Sequence, residues 1–531
     1  MDDHKPTETF VEVASPDGQP QDDKQLKPEP RLLGAVKLVH EGEIVLVPQP
    51  TADPRDPLNL PDWRKWLILF IVALYAMTGN LLASGIGVMV PLLNTYYDND
   101  RRVNDLVTWP SFYMGLGNLI AMPIADTVGR RPVYLASNVI LIAGGIWCAV
   151  SRDLGSHIGG RDFMALAAGQ SEALCVLIAE ETFFLHQRGN RIAWFCSLQT
   201  LGTAGFIIAS SYLTNALGWR WWYGIFTVVS GVTFVLSVVF VTETKYERSA
   251  ASLSGLPDSP SATPLTARQH RTRALDRTPT PTLTTTDLLP WCPTLTPNYR
   301  RIPQFYKHLL QLTIIPNILW LILTTGALLG TYIVMSAVFA PVLLAPPYSF
   351  SPNNLGLVMG SQAIVAFVVQ PLAGTLSDYI LTQYAQHHPA GHSNPESRLL
   401  PAILPFGVAI AACIIFGKSC AYPAEWSWAG VVEGMNALFY SFVSIVVTAF
   451  VYSMDCYPRR GHVAMVALCA GRGFIGFGIS FGTSAFVDRV GYDGALEVCA
   501  VVVGVLAGCG VGLFFWGAWV RRVMARWVGD V

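Results

Sequence analysis

Four ionisable side chains lie inside long apolar stretches of this sequence, where a charge is costly. Glu172 lies in the middle of RDFMALAAGQSEALCVLIAEETFF, which begins at Arg161, and Glu433 and Arg472 lie in WAGVVEGMNALFY and CAGRGFIGFG. A charge at the centre of a bilayer costs about 2.5–3.5 kcal/mol on the insertion scale, so such residues mark sites for protons, ions or substrates. We therefore expect these residues to form a proton-coupling site or to line a substrate cavity.

Glu172 is the leading candidate because of its neighbours. On an unbroken helix, Arg161, Ala165, Ala168 and Glu172 share one face, where small side chains leave room for a solute. Glu172 is about 16 Å along the axis from Arg161 at 1.5 Å per residue, so the two cannot pair within the helix. We predict a proton-coupling or cation-binding carboxylate that either meets a cation from another helix or spends time protonated. A static hydrogen bond between helices is the alternative.

Arg472 and Glu433 are site candidates for the same reason. Each is the one ionisable residue of its type well inside its apolar stretch. Arg472 can pair with Glu172 or with Glu433, and the sequence does not choose between them. A clamp between helices is as consistent with these residues as a substrate contact.

Composition places these residues in a membrane protein. The chain has 531 residues, of which 52% are hydrophobic and 13% charged, whereas soluble domains are about 25% charged. The net charge of −1 gives no sign of a nucleic-acid partner. The ten cysteines lack zinc-ligand spacing, and the chain has no GxSxG, HExxH or P-loop lysine. We therefore predict no enzyme activity, no metal and no cofactor, with a proton gradient as the driving force.

Apolar runs of about 20 residues, the length that spans a bilayer core, recur along the chain. They must be helices, because lipid cannot satisfy open backbone groups. The predicted fold is an all-α polytopic membrane protein with 12 transmembrane helices in two pseudo-symmetric six-helix halves. The predicted spans are 66–90, 106–125, 133–150, 162–184, 192–214, 221–242, 316–343, 354–377, 400–417, 427–452, 462–486 and 495–519.

Polar segments divide the chain around these halves. The bias of Lys and Arg in the short loops predicts that both termini are cytosolic. The predicted parts are a disordered cytosolic N-terminal tail (1–62), an N-terminal half (63–242), a cytosolic flexible linker that ends in an interfacial segment (243–314), a C-terminal half (315–520) and a cytosolic C-terminal tail (521–531).

A short loop carries the most specific motif. PIADTVGRRPVYL, from Pro123 to Leu135, falls between the second and third spans, and GTLSD, ending at Asp378, falls at the equivalent place in the second half. The first segment resembles the signature loop of the major facilitator superfamily, D-x-x-G-R-[RK]. DPLNLPDWRKW, GWRWWYGIFTVVSG and YSMDCYPRRG resemble segments of fungal 12-span drug:proton antiporters.

This resemblance assigns a role to the loop residues. It implies that Asp126, Gly129, Arg130, Arg131 and Asp378 form a charge latch between the halves in the outward-facing state. It also implies that spans one, four, seven and ten line a central cavity. One departure concerns the fifth span, where the Gly-Pro-x-x-Gly-Gly element of the antiporters is replaced by GFIIAS.

The expected function is secondary active transport. Proton-coupled efflux of a small organic compound, drug-like or a secondary metabolite, is the first hypothesis, and alternating access is its mechanism. The alternative is a proton symporter or facilitator that imports a small, possibly cationic metabolite such as a polyamine. A non-transporting receptor is a third hypothesis. The expected partners are the lipid bilayer, the substrate and protons, with the chain as a monomer in the plasma membrane or, alternatively, the vacuolar membrane.

Overall fold

The computed structural model describes residues 36–40, 43–51, 53, 55–255, 265–267, 269, 299–387 and 392–528. These residues contain ten helical stretches long and apolar enough to cross a membrane. The stretches are Asp62–Gly87, Arg130–Val150, Leu154–Thr182, Leu185–Thr214, Trp219–Phe240, Pro316–Leu344, Leu355–His387, Pro395–Ala421, Trp428–Cys456 and Gly461–Met524.

Two further features bring the number of spans to twelve. The helix Asp105–Val128 is less apolar because it carries Pro110, Asn118 and Pro123, and it forms the second span. The last stretch bends at Gly491, where φ is 81° and ψ is 171°, so it contains the eleventh and twelfth spans. The all-α, twelve-span prediction is therefore confirmed.

The fourth span is a broken helix. It consists of Leu154–Ala168, a 3₁₀ turn at Gly169–Ser171 and Leu174–Thr182, and it begins before the predicted residue 162. A Cβ on Gly169 would lie 2.3 Å from the carbonyl oxygen of Met114 in the second span. The turn thus packs directly on a neighbouring backbone, and Glu172 follows it instead of continuing one helical face.

The eighth span is also irregular. It begins with 3₁₀ residues Pro352–Met359 and the short helix Gly360–Ile364, passes through a π-helical turn at Val365–Val369, and continues as Gln370–His387. Pro371 follows the π-helical turn and has no N–H to donate to the preceding turn.

The two halves meet along two seams. The second span packs against the eleventh, and the fifth packs against the eighth. Each seam therefore joins one helix of the N-terminal half to one of the C-terminal half.

The segment before the first span is ordered where the sequence predicts a disordered tail. Val36–Lys37 pairs antiparallel with His392–Ser393, and Val39–His40 pairs with Glu43–Ile44. A 3₁₀ turn at Pro57–Asn59 then leads into the first span. Residues 1–35 lie outside the described part of the chain.

The predicted linker and C-terminal tail also contain helices. Ala250–Leu253 is one short helix, and Arg301–Ile314 is an amphipathic helix at the predicted interfacial segment. Most of the intervening residues lie outside the described part of the chain. The final helix runs to Val528, through the predicted tail, and Arg521 in it is buried against Glu396 at 2.6 Å.

Candidate functional site

The centre of the molecule contains an ion pair between the two halves. Glu172, from the fourth span, accepts a hydrogen bond from the guanidinium of Arg472, from the eleventh. Arg472 is buried, whereas the side chain of Glu172 is 26% exposed. The structure thus selects Glu172, and not Glu433, as the partner of Arg472.

Aromatic and sulfur-containing side chains surround this pair. The Arg472 guanidinium lies 5.7 Å from the ring centre of Phe442 and 5.9 Å from that of Phe450, both in the tenth span. The Cys469 thiol lies 3.5 Å from the backbone carbonyl of Glu172. Apolar walls strengthen the attraction between the two charges, because they lower the local dielectric constant.

The pair links the charge on Glu172 to the contact between the two halves. A proton that binds Glu172 removes the negative charge with which Arg472 pairs. Since the two residues belong to different halves, protonation weakens a contact between those halves. A cationic solute that reaches the exposed part of the carboxylate would compete with Arg472 in the same way.

Arg161 lies apart from this pair, in the helix Leu154–Ala168 that precedes the break in the fourth span. Its partners are polar groups of three other spans. Its guanidinium donates to the backbone carbonyls of Leu106 at 2.7 Å, Leu82 at 3.2 Å and Ala83 at 2.5 Å, and to the Tyr223 hydroxyl at 2.8 Å. Arg161 is fully buried. It therefore ties together the first, second, fourth and sixth spans, and the structure does not bring it to Glu172.

Glu433 is also separate from the central pair. It precedes Phe442 by nine residues on one helix, which corresponds to about 13 Å of rise and two and a half turns. The two side chains therefore lie on opposite faces of the tenth span. Glu433 is exposed and forms no hydrogen bond or ion pair with the described residues.

The signature loop forms a buried triad in the N-terminal half. Arg130 lies 3.4 Å from Asp126, four residues earlier, and 3.2 Å from Glu181 at the end of the fourth span. Arg130 is only 4% exposed. Two acids thus hold one buried guanidinium where the second, third and fourth spans meet.

The C-terminal half repeats this triad with residues from other places in the chain. Arg398, at the start of the ninth span, lies 2.6 Å from Asp378 and 3.0 Å from Asp455 at the end of the tenth. Arg398 is fully buried. It occupies the role that Arg130 has in the first half, although it lies twenty residues after its motif aspartate.

Asp378 also reaches across to the other half. Its two carboxylate oxygens accept hydrogen bonds from the backbone N–H groups of Gly189 at 3.1 Å and Asn190 at 2.8 Å, both in the fifth span. A carboxylate that accepts backbone N–H groups forms charge-assisted bonds, which are about twice as strong as neutral ones. Asp378 is therefore the centre of a contact that closes this face of the molecule.

Two further pairs cross the same face. Arg188 of the N-terminal half lies 3.2 Å from Asp455 and 2.9 Å from Glu180. The His462 ring, at the start of the eleventh span, lies 3.6 Å from Asp126. We call the surface formed by the two triads and these pairs the latch face.

Gly129 and Arg131 act within the N-terminal half. Gly129 has φ of 129°, and a Cβ there would lie 2.5 Å from a carboxylate oxygen of Glu243. That carboxylate accepts from the backbone N–H groups of Arg130 at 2.9 Å and Arg131 at 3.2 Å, and Arg131 donates to the Val238 carbonyl at 2.9 Å. The glycine thus permits the loop to bind the end of the sixth span.

A cavity of about 620 Å³, lined in part by charged side chains, lies inside the latch face. Asp126, Arg130, Glu181 and His462 line it, together with Lys245 from the segment after the sixth span. Burial lowers the pKa of the Lys245 amine, and the nearby Asp126 carboxylate opposes that effect. Among the residues that the structure describes, no group of three His, Cys, Asp or Glu side chains could hold a metal ion.

Three triad residues were not predicted as site residues: Glu181, Arg398 and Asp455. The same holds for Glu180, Arg188 and His462 of the further pairs, and for Glu243 beside Gly129. The three triad residues had a signal in the internal repeat. Glu181 and Asp455 stand at the exits of equivalent spans, and Arg398 precedes the ninth span as Arg130 precedes the third. Glu243 had none, because its role depends on the conformation of Gly129.

Comparisons with known proteins agree with this architecture. The sequence model of the Major Facilitator Superfamily matches residues 66–468. An uncharacterized MFS-type transporter of Schizosaccharomyces pombe is 24% identical over 498 residues, covering 86% of this chain and 84% of its own. Protein HOL1 of Saccharomyces cerevisiae is 22% identical over 546 residues, covering 91% of each chain. The solved structure of the proton:xylose symporter XylE aligns with a TM-score of 0.58 at 13% identity, covering 86% of this chain and 96% of its own, which shows the shared fold.

Proposed function

Because the chain belongs to the Major Facilitator Superfamily, whose members are transporters and not enzymes, we propose that it uses a proton gradient to export a small organic compound. The substrate class that we propose is a drug-like compound or a secondary metabolite. The ion pair between Glu172 and Arg472 carries this proposal, because it places an exchangeable carboxylate between the two halves.

Proton coupling requires that protonation and conformation affect each other. With Glu172 ionised, its attraction to Arg472 joins the fourth and eleventh spans. With Glu172 protonated, that attraction is lost and the balance moves toward states in which these helices separate. XylE, which has the same fold, is named as a proton:xylose symporter. Its name supports the proposal that a protein of this fold can couple transport to protons.

Alternating access then proceeds by opening and closing the latch face. The triads around Arg130 and Arg398 hold each half rigid, and Asp378, Asp455 and Asp126 join the halves when the face is closed. Opening breaks these contacts and leaves the triads intact. This is a rigid-body movement of one half against the other about the central site.

Import is the second candidate, because the fifth span favours it. The helix Leu185–Leu217 contains no proline, and GFIIAS replaces the Gly-Pro-x-x-Gly-Gly element that the resemblance links with antiport. A symporter or facilitator would admit a small metabolite, and the carboxylate of Glu172 would suit a cation such as a polyamine. For export we propose a monomer in the plasma membrane with both termini in the cytosol, and the vacuolar membrane is the alternative.

Untargeted mass spectrometry of cell and medium pools tests the proposal. Hosts would express the wild type, Glu172→Gln, the control Glu425→Gln, or no transporter. Glu425 is an exposed acid in the loop between the ninth and tenth spans, so the control makes the same chemical change away from the central pair.

Export predicts a compound that leaves cells and enters the medium with the wild type and the control, and does not with Glu172→Gln. A compound that accumulates inside instead supports import. An identical export profile for Glu172→Gln at every external pH would refute the proposed role of this carboxylate.

A further inference from the structure

The segment 36–51, which precedes the first span, contacts both halves of the molecule. At its beginning, Val36 pairs with Ser393 and Lys37 with His392, in the loop between the eighth and ninth spans. This end of the segment therefore adds a short strand to the C-terminal half.

The other end of the segment is fixed to the N-terminal half. The carbonyl of Val47 accepts a hydrogen bond at 2.7 Å from the N–H of Leu185, the first residue of the fifth span. Just beyond the segment, the buried Asp56 carboxylate forms an ion pair at 2.7 Å with Arg248, which follows the sixth span. Leu58 and Phe184 share a buried apolar cluster beside it.

Four apolar side chains of the segment are buried between the halves. Val36, Leu38, Val45 and Val47 share one apolar cluster with residues of both halves, namely Leu185, Leu381 and Ala385. The Leu185 carbonyl accepts from Arg398 of the C-terminal triad at 3.2 Å. The segment therefore packs directly beside the contacts that close the latch face.

We propose that the described residues 36–40 and 43–51 form a strap that stabilises the molecule selectively in the state whose latch face is closed. Its two ends attach to different halves, so the face opens only when the end at Val36 separates from Ser393 and the shared cluster divides. A segment that binds one of two conformations shifts the population toward that conformation. The strap thereby sets how often the central site is accessible from this side, without contacting Glu172.

Deletion of residues 36–48 tests the strap in the otherwise complete protein in lipid nanodiscs. Spin labels are placed at two exposed positions, Glu247→Cys just after the sixth span and Gln386→Cys at the end of the eighth. Double electron–electron resonance between them reports the width of the latch face. Cys292, Cys499 and Cys509 are replaced by serine so that labelling is confined to these positions. Deletion of residues 10–22 is the control of equal length, and Leu38→Asn is a milder second variant.

If the strap stabilises the closed face, deletion of 36–48 should increase the population of long distances between the two labels. Burial of one aliphatic side chain changes an equilibrium by about tenfold or more, so the ratio of open to closed molecules should rise at least that much. Leu38→Asn should shift the ratio in the same direction, and the 10–22 deletion should match the wild type. If Leu38→Asn folds and neither it nor the deletion changes the distribution, the strap proposal is wrong. The readout involves no substrate and no proton, so it is independent of the proposed transport function.

Discussion

Replacement of Asp378 by asparagine measures how strongly the closed latch face depends on one carboxylate. Asp378 accepts three hydrogen bonds, from Arg398 at 2.6 Å, Gly189 at 3.1 Å and Asn190 at 2.8 Å, and it is 7% exposed. Asparagine keeps one acceptor oxygen and places an N–H₂ donor where the other oxygen was. At least one N–H group of the other half then faces a donor, and the remaining bond loses its charge.

The size of the effect follows from these bonds. Bonds to a charged group contribute roughly 1.5–3 kcal/mol each, and neutral ones about 1 kcal/mol. The contacts from Gly189 and Asn190 cross between the halves, so their loss destabilises only the closed face. Two charged bonds reduced to one neutral bond destabilise it by about 2 kcal/mol or more, which is roughly a thirtyfold shift toward the open state.

The spin-label pair at positions 247 and 386 provides the assay. Asp378→Asn should enrich the long distances relative to the wild type at the same pH. Asp488→Asn, an exposed aspartate in the last loop, is the matched control and should leave the distribution unchanged. A distribution in Asp378→Asn that coincides with the wild type would refute the assignment of this carboxylate as a cross-half contact.

Three further variants test the supporting contacts. Gly129→Ala should lower the free energy of unfolding by about 1–3 kcal/mol, because φ of 129° is a glycine conformation and the new Cβ would lie 2.5 Å from Glu243. Gly205→Ala is the control and should leave the stability unchanged, because the space around Gly205 is open. Arg161→Met should destabilise the protein in detergent by roughly 1–3 kcal/mol for each buried group that it leaves without a donor, because the carbonyls that Arg161 contacts lose their hydrogen bonds. An unchanged melting curve would contradict the role of Arg161 in joining these spans. Burial alone would raise the pKa of Asp56, but its arginine partner holds that pKa below its usual value in the folded protein. The stability that the ionised Asp56 provides is therefore fully present above about pH 4, the pKa of an unfolded aspartate, and is lost as the pH falls through the folded-state pKa. Proteolysis of the strap across this range should become faster at acid pH in the wild type and be fast at all pH values in Asp56→Asn.

The fold could be predicted from the sequence because lipid leaves few alternatives. A run of about 20 apolar residues must form a helix in a bilayer, and this rule located the spans without any knowledge of packing. It did not reveal the break in the fourth span, because the turn at Gly169 depends on how closely the second span approaches. The sequence predicted one helical face from Arg161 to Glu172, which requires a continuous helix. The break at Gly169–Ser171 means that these residues do not share one surface.

The sequence identified residues of the candidate site, but it did not predict which of them would pair. Charge in an apolar run identified Glu172 and Arg472, yet their partnership joins residues 300 positions apart. The C-terminal triad shows the same limit. GTLSD lacks the motif arginines, and the guanidinium that completes it comes from Arg398, beyond a long loop.

Order in the segment before the first span could not be inferred from composition. Residues 36–51 contain no long apolar run, and the described part, 36–40 and 43–51, is ordered because the two halves bury Val36, Leu38, Val45 and Val47 together. Such burial is a property of the assembled fold, and no local pattern in the sequence expresses it.

Transport into proteoliposomes under an imposed pH gradient tests whether Glu172 couples a proton to transport. With the compound found by mass spectrometry, the purified wild type should accumulate it against its gradient when a pH gradient is imposed. Glu172→Gln should lose this uphill accumulation and keep exchange of labelled for unlabelled compound at equal pH, because exchange requires no net proton movement. Uphill accumulation by Glu172→Gln at the wild-type rate would contradict the account.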